Sequence, residues 1–349
     1  MSIEHRLVDE YKRCHYTFNC TGDRHSDKPT VFLSACEGSE QKGDLKYNGG
    51  LKTLNNMAKI LRQHGYEAFI VTYDGSYQPW LLDHQECISL NDFRDRLAKT
   101  SNVRCVTSWL RSKAFLQYCH AGVYFWDMEL AYTEHMHMHL LAPLVKSNKV
   151  RIAGTTMTIC AWHMAHWQKP CVCLTHWNDK DVFFARPDKR IRRRVGYMKE
   201  SEYTEVEIET IRQDTIKAGL SLEFFLIEGD EQDCADGMRS CNVFLGLNPG
   251  KDILWGEGWG MPLLEAMGVG CAVICFDYIG NRAFVHHGFN GIMVPRYDVS
   301  QMARTLCAFY EDDENMERIR CNSLAMIKSC YESEACWPTV KSFLELDDR

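Results

Sequence analysis

Two carboxylates, Glu257 and Glu265, stand in the stretch WGEGWGMPLLEAMGVG, residues 255–270, among glycines at 256, 258 and 260. An ionised carboxylate only accepts hydrogen bonds, and a vicinal diol offers two O–H donors at a matching separation. The glycines let backbone come close to a ligand, Pro262 suits the first position of a helix, and Glu265 then falls in that helix's first turn. A helix N-terminus presents unpaired N–H groups and the positive end of a dipole, which hold a diphosphate by backbone alone. The acids are then free for hydroxyls. A ligand with ribose at one end, a diphosphate in the middle and a sugar at the other uses all of these features, and that ligand is a nucleotide sugar. The competing local reading makes Glu257 an acceptor of loop N–H bonds and Glu265 a helix-start acid favoured by the dipole.

These residues need elements to hold them. The run NVFLGL before the stretch and CAVICF after it read as strands, with Pro262 opening a helix between them. The same rhythm occurs near the start of the chain. TVFLSAC, residues 30–36, reads as a buried strand, followed by a polar loop ending in Asn48, Gly49 and Gly50. A helix comes next, with Leu51, Leu54, Met57, Ala58 and Leu61 at a 3.6-residue period and Gly65 as its stop. YEAFIVTYD, residues 66–74, is a further strand. Strand, glycine turn, helix, strand is the unit of a parallel sheet, and the turn lies at the carboxyl edge where such sheets bind ligands. Residues 103–109, 121–127, 150–184, 194–198 and 203–218 and the run LEFFLIEG continue the alternation. The pattern predicts two α/β domains, at 1–176 and 177–330. A final helix over about 334–347 carries Trp337, Val340, Phe343 and Leu344 on one face, with Pro338 in its first turn.

Bulk composition narrows the class. A chain of 349 residues with 45% hydrophobic and 25% charged side chains fits two soluble domains and excludes disordered or collagen-like chains. The N-terminus MSIEHRLVDEYKRC is charged from its fourth residue, and no apolar run reaches spanning length, so the reading is a cytoplasmic protein without a transmembrane segment. Seventeen cysteines, an odd number without a CxxC pair, point to reduced and mostly buried thiols and not to disulfides or structural zinc. Residues 1–170 carry a net charge of about +3 and the remainder about −10, so a mildly basic first half faces an acidic second half.

The string EGWGMPLLEAMGVGCAVICFDYIGNRAFVHHGFNGIMVP resembles the signature of the retaining glycosyltransferases of family 4, with its E-x7-E pair, EAM, apolar strand, GN, and NG before VP. YNGGLKTLNNMAKILRQHGYEAFIVT, YFWDMELAY and the segment from VRIAGTTMTIC to NDKDVFF resemble other parts of that family more weakly. The resemblance covers most of residues 30–345 and is strongest over 253–295. It implies the GT-B fold: two Rossmann-like domains facing across a cleft, an acceptor-binding domain (1–176) and a nucleotide-sugar-binding domain (177–330), with the C-terminal helix, about 331–349, returning to the first.

Carried over by residue, the resemblance implies that Glu257 holds hydroxyls of the donor sugar and Glu265 the ribose. Backbone around Gly258, Trp259 and Gly260, running into Met261 and Pro262, meets the sugar or diphosphate, and Gly49 and Gly50 approach the diphosphate from the other domain. The family's arginine after a glycine is replaced here by Tyr197 after Gly196. Lys199, or one of Arg192, Arg193 and Arg194, must then neutralise the leaving diphosphate, and the expectation rests on Lys199 and Arg194. Asp127 and Glu129, just past a strand, are the expected acceptor contacts.

Retention implies attack from the face the nucleotide leaves, through an oxocarbenium-like state, with the leaving phosphate taking the acceptor's proton. Glu257 and Lys199 are then the catalytic pair, as holder and charge stabiliser, and no metal or cofactor beyond the nucleotide-sugar donor, most commonly a UDP-sugar, is required. His135, His137 and His139 alternate, but the segment reads as helical, which spreads them apart and disfavours a metal site. The acceptor is a glycan, a lipid-linked sugar or a small molecule. One alternative is a hydroxymethylated base in DNA, to which the basic run DKRIRRR would answer. Another is a protein that binds the donor without transfer. A nicotinamide dehydrogenase is disfavoured because no G-x-G-x-x-G follows the first strand.

Overall fold

Five consecutive buried residues, Thr30–Ser34, form β1 of the first sheet. The computed structural model describes residues 28–36, 49–120, 122–247 and 258–346. These divide into two units. The first comprises the chain up to Pro79, Asp83–Leu174 and the chain from Trp337 on, and the second comprises Trp80–Leu82 and Thr175–Cys336.

In the first unit β1 is joined by β2 (Ala68–Thr72), β3 (Cys87–Ser89), β4 (Val103–Thr107), β5 (Val123–Asp127), β6 (Val150–Gly154) and β7 (Val172–Cys173). Their order is β3-β2-β1-β4-β5-β6-β7, and every pairing is parallel. Strands covered on both faces need apolar side chains at every position, which is why AFIVT is buried throughout. Helix α1 (Gly49–Gln63) buries the 3.6-period residues read from the sequence. It closes in a Schellman turn: Tyr66 N–H reaches Leu61 O at 3.0 Å and Gly65 N–H reaches Arg62 O at 2.9 Å, with Gly65 at φ +74°. Helix α2 (Leu90–Leu97) starts at a Ser89/Asp92 capping box. After β5 the chain makes a short turn of α-helix, Leu130–Tyr132, a π-helical turn, Thr133–His137, and then α3 (Met138–Lys146). Helix α4 (Met157–Trp167) precedes β7.

The second unit holds β8 (Arg194–Tyr197), β9 (Glu223–Leu226), β10 (Val243–Gly246), β11 (Ala272–Phe276) and β12 (Ile292–Val294), in the order β12-β11-β10-β8-β9 and again parallel. Helices α5 (Thr204–Lys217), α6 (Glu231–Ser240), α7 (Met261–Gly268), α8 (Val299–Glu311) and α9 (Asp313–Cys330) cover it.

Helix α10 (Ser333–Leu344) ends the described chain. Beyond Cys336 it belongs to the first unit, where Trp337 stacks on His64 at 3.9 Å, Phe343 meets Tyr124 edge to face at 5.6 Å, and Arg104 Nε donates to Leu344 O at 2.8 Å. The sequence places Pro338 in the first turn, but the helix starts at Ser333 and puts the proline inside it. The missing N–H breaks the ladder one residue after the division between the units.

All cysteines among the described residues are free. Burial pushes the thiols of Cys36 and Cys241 up to about 12, so they act as small apolar core residues. No helix among the described residues is long and apolar enough to cross a membrane.

Candidate active site

In the second unit the chain leaves β8 for β9 on one side and returns through β10 on the other. The loops after β8 and β10 therefore diverge at a topological switch point, the place where open parallel sheets bind ligands. Lys199, exposed two residues past β8, lies in the first of these loops. Gly258, Trp259, Gly260, Met261, Pro262 and Glu265 lie in the second and in the helix it leads into. The fold thus brings Lys199 and the glycine-framed turn to one edge of one sheet. Glu257 lies outside the described residues.

The turn is built from its core outward. Trp259 is buried, stacked on Phe284 at 4.8 Å and set edge to face against His176 and Tyr331. This ring pins the backbone of residues 258–260. Gly260 is obligatory at its position: a Cβ there would lie 2.6 Å from Asn281 Oδ1, whose own amide is held by Phe276 O at 3.1 Å. Helix α7 starts at Met261, so Pro262 is its second residue. Met261 N–H donates to Trp259 O at 2.9 Å, and Leu263 and Leu264 N–H both donate to Gly260 O at 3.1 Å. The first-turn amides that the sequence assigns to a diphosphate are thus engaged or absent.

Glu265 is also one residue further into the helix than the sequence places it. It is the fifth residue of α7, whose first turn holds no acid, and it is only 6% exposed. The reading as a helix-start acid favoured by the dipole fails, because that effect is confined to the first turn. A carboxylate in a helix body at this depth needs a strong partner.

The basic run is spent within the second unit. Arg190 donates to Gly270 O at 2.7 Å, Arg192 pairs with Asp313, and Arg193 donates to Ser221 O at 3.3 Å. Arg194, offered as a donor contact, is the first residue of β8 and so stands at the amino edge. Its guanidinium pairs with Glu223 at 2.7 Å and lies over Phe225. That removes Arg194 from the switch point. Tyr197, at the position of the family's arginine, is buried in the core and supplies no cation.

In the first unit Gly49 and Gly50 open α1, which follows β1. Asp127 ends β5 but is 2% exposed, and both its oxygens are used: Oδ2 meets His163 Nε2 at 2.8 Å, and Oδ1 accepts from Glu129 N–H at 3.0 Å. Trp167 Nε1–H donates to His163 Nδ1 at 3.2 Å, which puts the imidazole proton on Nε2, toward the carboxylate. Asp127 therefore ties α4 to the Glu129 loop. Nothing local in the sequence marks His163, because its partner lies 36 residues away. Of the three alternating histidines, the π turn holds an exposed His135 and a His137 buried at 1% exposure, while His139 is half-buried in α3.

Burial, opposed by Asp127 and aided by Arg111 and His139, pushes His137 down to about 4, and burial pushes His176 down to about 3. In the unfolded chain both protonate near 6.5, so between these values the unfolded state binds more protons. Stability is then fully present above pH 6.5 and is lost as the pH falls. The expected loss at His137 is about 2 kcal/mol between pH 7 and pH 5. Urea midpoints across that range should fall, and less steeply for His137→Phe; identical pH profiles would refute the assignment.

Residues 210–325 match the family described as Glycosyl transferases group 1. Over 90 residues, 26% of this chain and 22% of the relative, the sequence is 36% identical to the phosphatidyl-myo-inositol mannosyltransferase of Mycolicibacterium smegmatis. The match thus spans about a fifth of that relative's length. Two solved structures share the fold. Anabaena HepE in complex with UDP-glucose has a TM-score of 0.66 at 13% identity, over 90% of this chain and 99% of that one. Sucrose-phosphate synthase from Thermosynechococcus elongatus has a TM-score of 0.67 at 12% identity, over 91% and 98%. The chain has the GT-B fold, with two Rossmann-like units, and residues 210–325 of the second carry a glycosyl transferases group 1 domain.

Proposed function

We propose that the protein is a retaining glycosyltransferase of family 4 that moves a sugar from a nucleotide-diphosphate sugar to a hydroxyl acceptor. The observation that carries this reading is the buried Glu265, in the body of the helix that follows the 258–260 turn, at the switch point of the unit matching the group 1 family. Glu265 accepts from the ribose diol and Glu257 from hydroxyls of the transferred sugar. Amides of residues 258–260, with Gly49 and Gly50, meet the diphosphate. Lys199, whose ammonium is a mobile point charge on an exposed loop, neutralises the leaving group and replaces the family's arginine. The leaving phosphate takes the acceptor's proton as the new glycosidic bond forms on the same face, so the reaction needs no metal and no side-chain base. A UDP-sugar is the favoured donor, since the HepE structure holds UDP-glucose. The acceptor is a glycan, a lipid-linked sugar or a small hydroxylated molecule, and the setting is cytoplasmic.

Melting the protein with UDP-, GDP-, ADP- and TDP-sugars tests this. The matching donor should stabilise it by about 2.7 kcal/mol at a hundred times its Kd. An α-linked donor should yield an α-linked product by proton NMR. Cooperative melting unmoved by every donor sinks the reading, and an inverted anomeric centre sinks retention alone. Donor stabilisation without turnover on any acceptor would favour the second reading, a donor-binding protein that lacks transfer, to which the loss of the arginine at Tyr197 points.

A further inference from the structure

Three thiols gather where α4 crosses the edge of the first sheet. A Cβ added to Gly154, the last residue of β6, would lie 2.8 Å from Ile159 Cγ2 and 3.0 Å from Cys160 N, so the start of α4 rests directly on that glycine. The Cys160 thiol donates to Val172 O at 3.4 Å and lies 3.6 Å from Gly154 O. Gly154 pairs with Cys173 in the β6–β7 ladder, and Val172 O belongs to the carbonyl joined to the Cys173 nitrogen, so the Cys160 sulfur sits over this pair. Paired residues on neighbouring strands turn their side chains to the same face, with the strands about 4.8 Å apart, so Cys173 faces α4 beside that sulfur. Cys171, two residues back, shares the face, and its sulfur lies 3.9 Å from Val172 O. Strand β7 is an edge strand on which Cys171 and Cys173 are half-buried, while Cys160 is 1% exposed. All three thiols are free, and among the described residues no group of three or more His, Cys, Asp or Glu is placed to hold a metal ion. The chemistry open to the cluster is therefore oxidation.

We propose that Cys160 and Cys173 are an oxidative modification site, a dithiol that a hydroperoxide converts to a disulfide tying α4 to β7. The thiolate of Cys173, on the accessible edge, attacks one oxygen of the hydroperoxide and breaks the O–O bond, leaving a sulfenic acid and releasing an alcohol, or water from hydrogen peroxide. The Cys160 sulfur then forms the S–S bond, and its proton leaves with the sulfenic oxygen as water. Two thiols lose two electrons and one hydroperoxide gains them. Only the first step needs access from solvent, so a buried Cys160 suits the second. The thiol of Cys171, opposed by that of Cys173 and aided by burial, pushes Cys160 up to about 12, and Cys160 together with burial pushes Cys173 up as well. Thiolate is then scarce near neutral pH, so the pair stays reduced until hydroperoxide is abundant. Where glutathione keeps thiols reduced, the bridges that do form are transient and redox-sensing. Strand β7 ends one residue before the chain passes, after Leu174, into the second unit, so the bridge fastens the last strand of the first unit to the helix that precedes it.

This site stands apart from the transferase reading and is tested without any sugar. The full chain, fully reduced and then exposed to hydrogen peroxide under native conditions, is alkylated, digested without reductant and mapped by mass spectrometry. The expected product is a linked peptide joining Cys160 to Cys173, which dithiothreitol separates. The bridge closes a loop of thirteen residues, and the oxidised protein should melt roughly 5–10 °C above the reduced one. Dithiothreitol should reverse that rise, Cys171→Ser should keep it, and Cys173→Ser should lose it. Should Cys173→Ser fail to fold, the peptide map of the unmutated chain decides alone. Cys160 and Cys173 both still open to alkylation after peroxide, a bridge from Cys160 to Cys171, oxidation of Cys173 to a sulfinic acid without a bridge, or an equal rise in Cys173→Ser overturns the site.

Discussion

Replacing Glu265 by alanine is expected to abolish the donor-induced rise in melting temperature and to lower kcat/KM by roughly 10²- to 10⁴-fold. Two charge-assisted hydrogen bonds to a ribose diol are each worth about 1.5–3 kcal/mol, and every 1.4 kcal/mol is about a factor of ten. The position supports this. Glu265 lies in the body of α7 with Leu264, Ala266 and Met267 fully buried around it, so its carboxylate has been taken out of water at some cost. A helix buried along nearly its whole length could hold a leucine there at less cost. The ligand-free melting temperature decides between roles. If Glu265 serves the donor, removing a desolvated charge leaves the free protein nearly as stable as before. If it is one half of a structural pair, the free protein loses about 3–5 kcal/mol, because the partner is stranded. A collapse of the ligand-free melt with donor affinity preserved would refute the diol role. Glu265→Gln, which keeps one acceptor oxygen, should fall between wild type and alanine.

What the sequence yields about this site depends on what sets each position. The 3.6-residue period of Leu51, Leu54, Met57 and Leu61 and the stop at Gly65 come through directly, because burial and a left-handed cap are local demands. The register of α7 does not. Reading Pro262 as the first helical residue pulls Glu265 into the first turn, but the bond from Leu264 N–H to Gly260 O starts the helix one residue sooner. Arg194 and Lys199 look adjacent in RVGYMK, but the five residue steps from one to the other run along a strand, about 16 Å at 3.3 Å per step, so only the lysine reaches the carboxyl edge. Of the histidines at 135, 137 and 139, the first two lie in the π turn and the third in α3. A π turn sorts them, and its i to i+5 bonding leaves no periodic mark in so short a run. The Asp230/Asp233 capping box of α6 was available as a signal, since both residues are of capping type three apart. Asp127 misleads for a different reason: a strand-end acid is equally suited to a ligand and to a buried histidine, and only the tertiary partner decides.

Trp259→Ala should have the largest effect on stability of any single change near the site. The ring is 3% exposed and packs on Phe284, Tyr331 and His176 within the second unit's core. Emptying a site of that size costs about 3–5 kcal/mol, or a fall in melting temperature on the order of 10 °C for a unit of this length. The same ring anchors the backbone whose amides are proposed to meet the diphosphate, so donor affinity should fall with it even though the indole never touches the donor. Trp259→Phe separates the two consequences. It restores most of the packing against Phe284 and so most of the stability, and a positioning role then predicts that donor affinity returns in proportion. If Trp259→Phe melts like the wild type but still fails to bind the donor, the indole itself is a contact and the anchoring account is wrong. If Trp259→Ala melts like the wild type, the ring is not part of the core at all. Set beside Glu265→Ala, the pair distinguishes holding a ligand from shaping the backbone that holds it: one variant should lose the donor with the fold intact, the other should lose the donor because the fold around the turn has loosened.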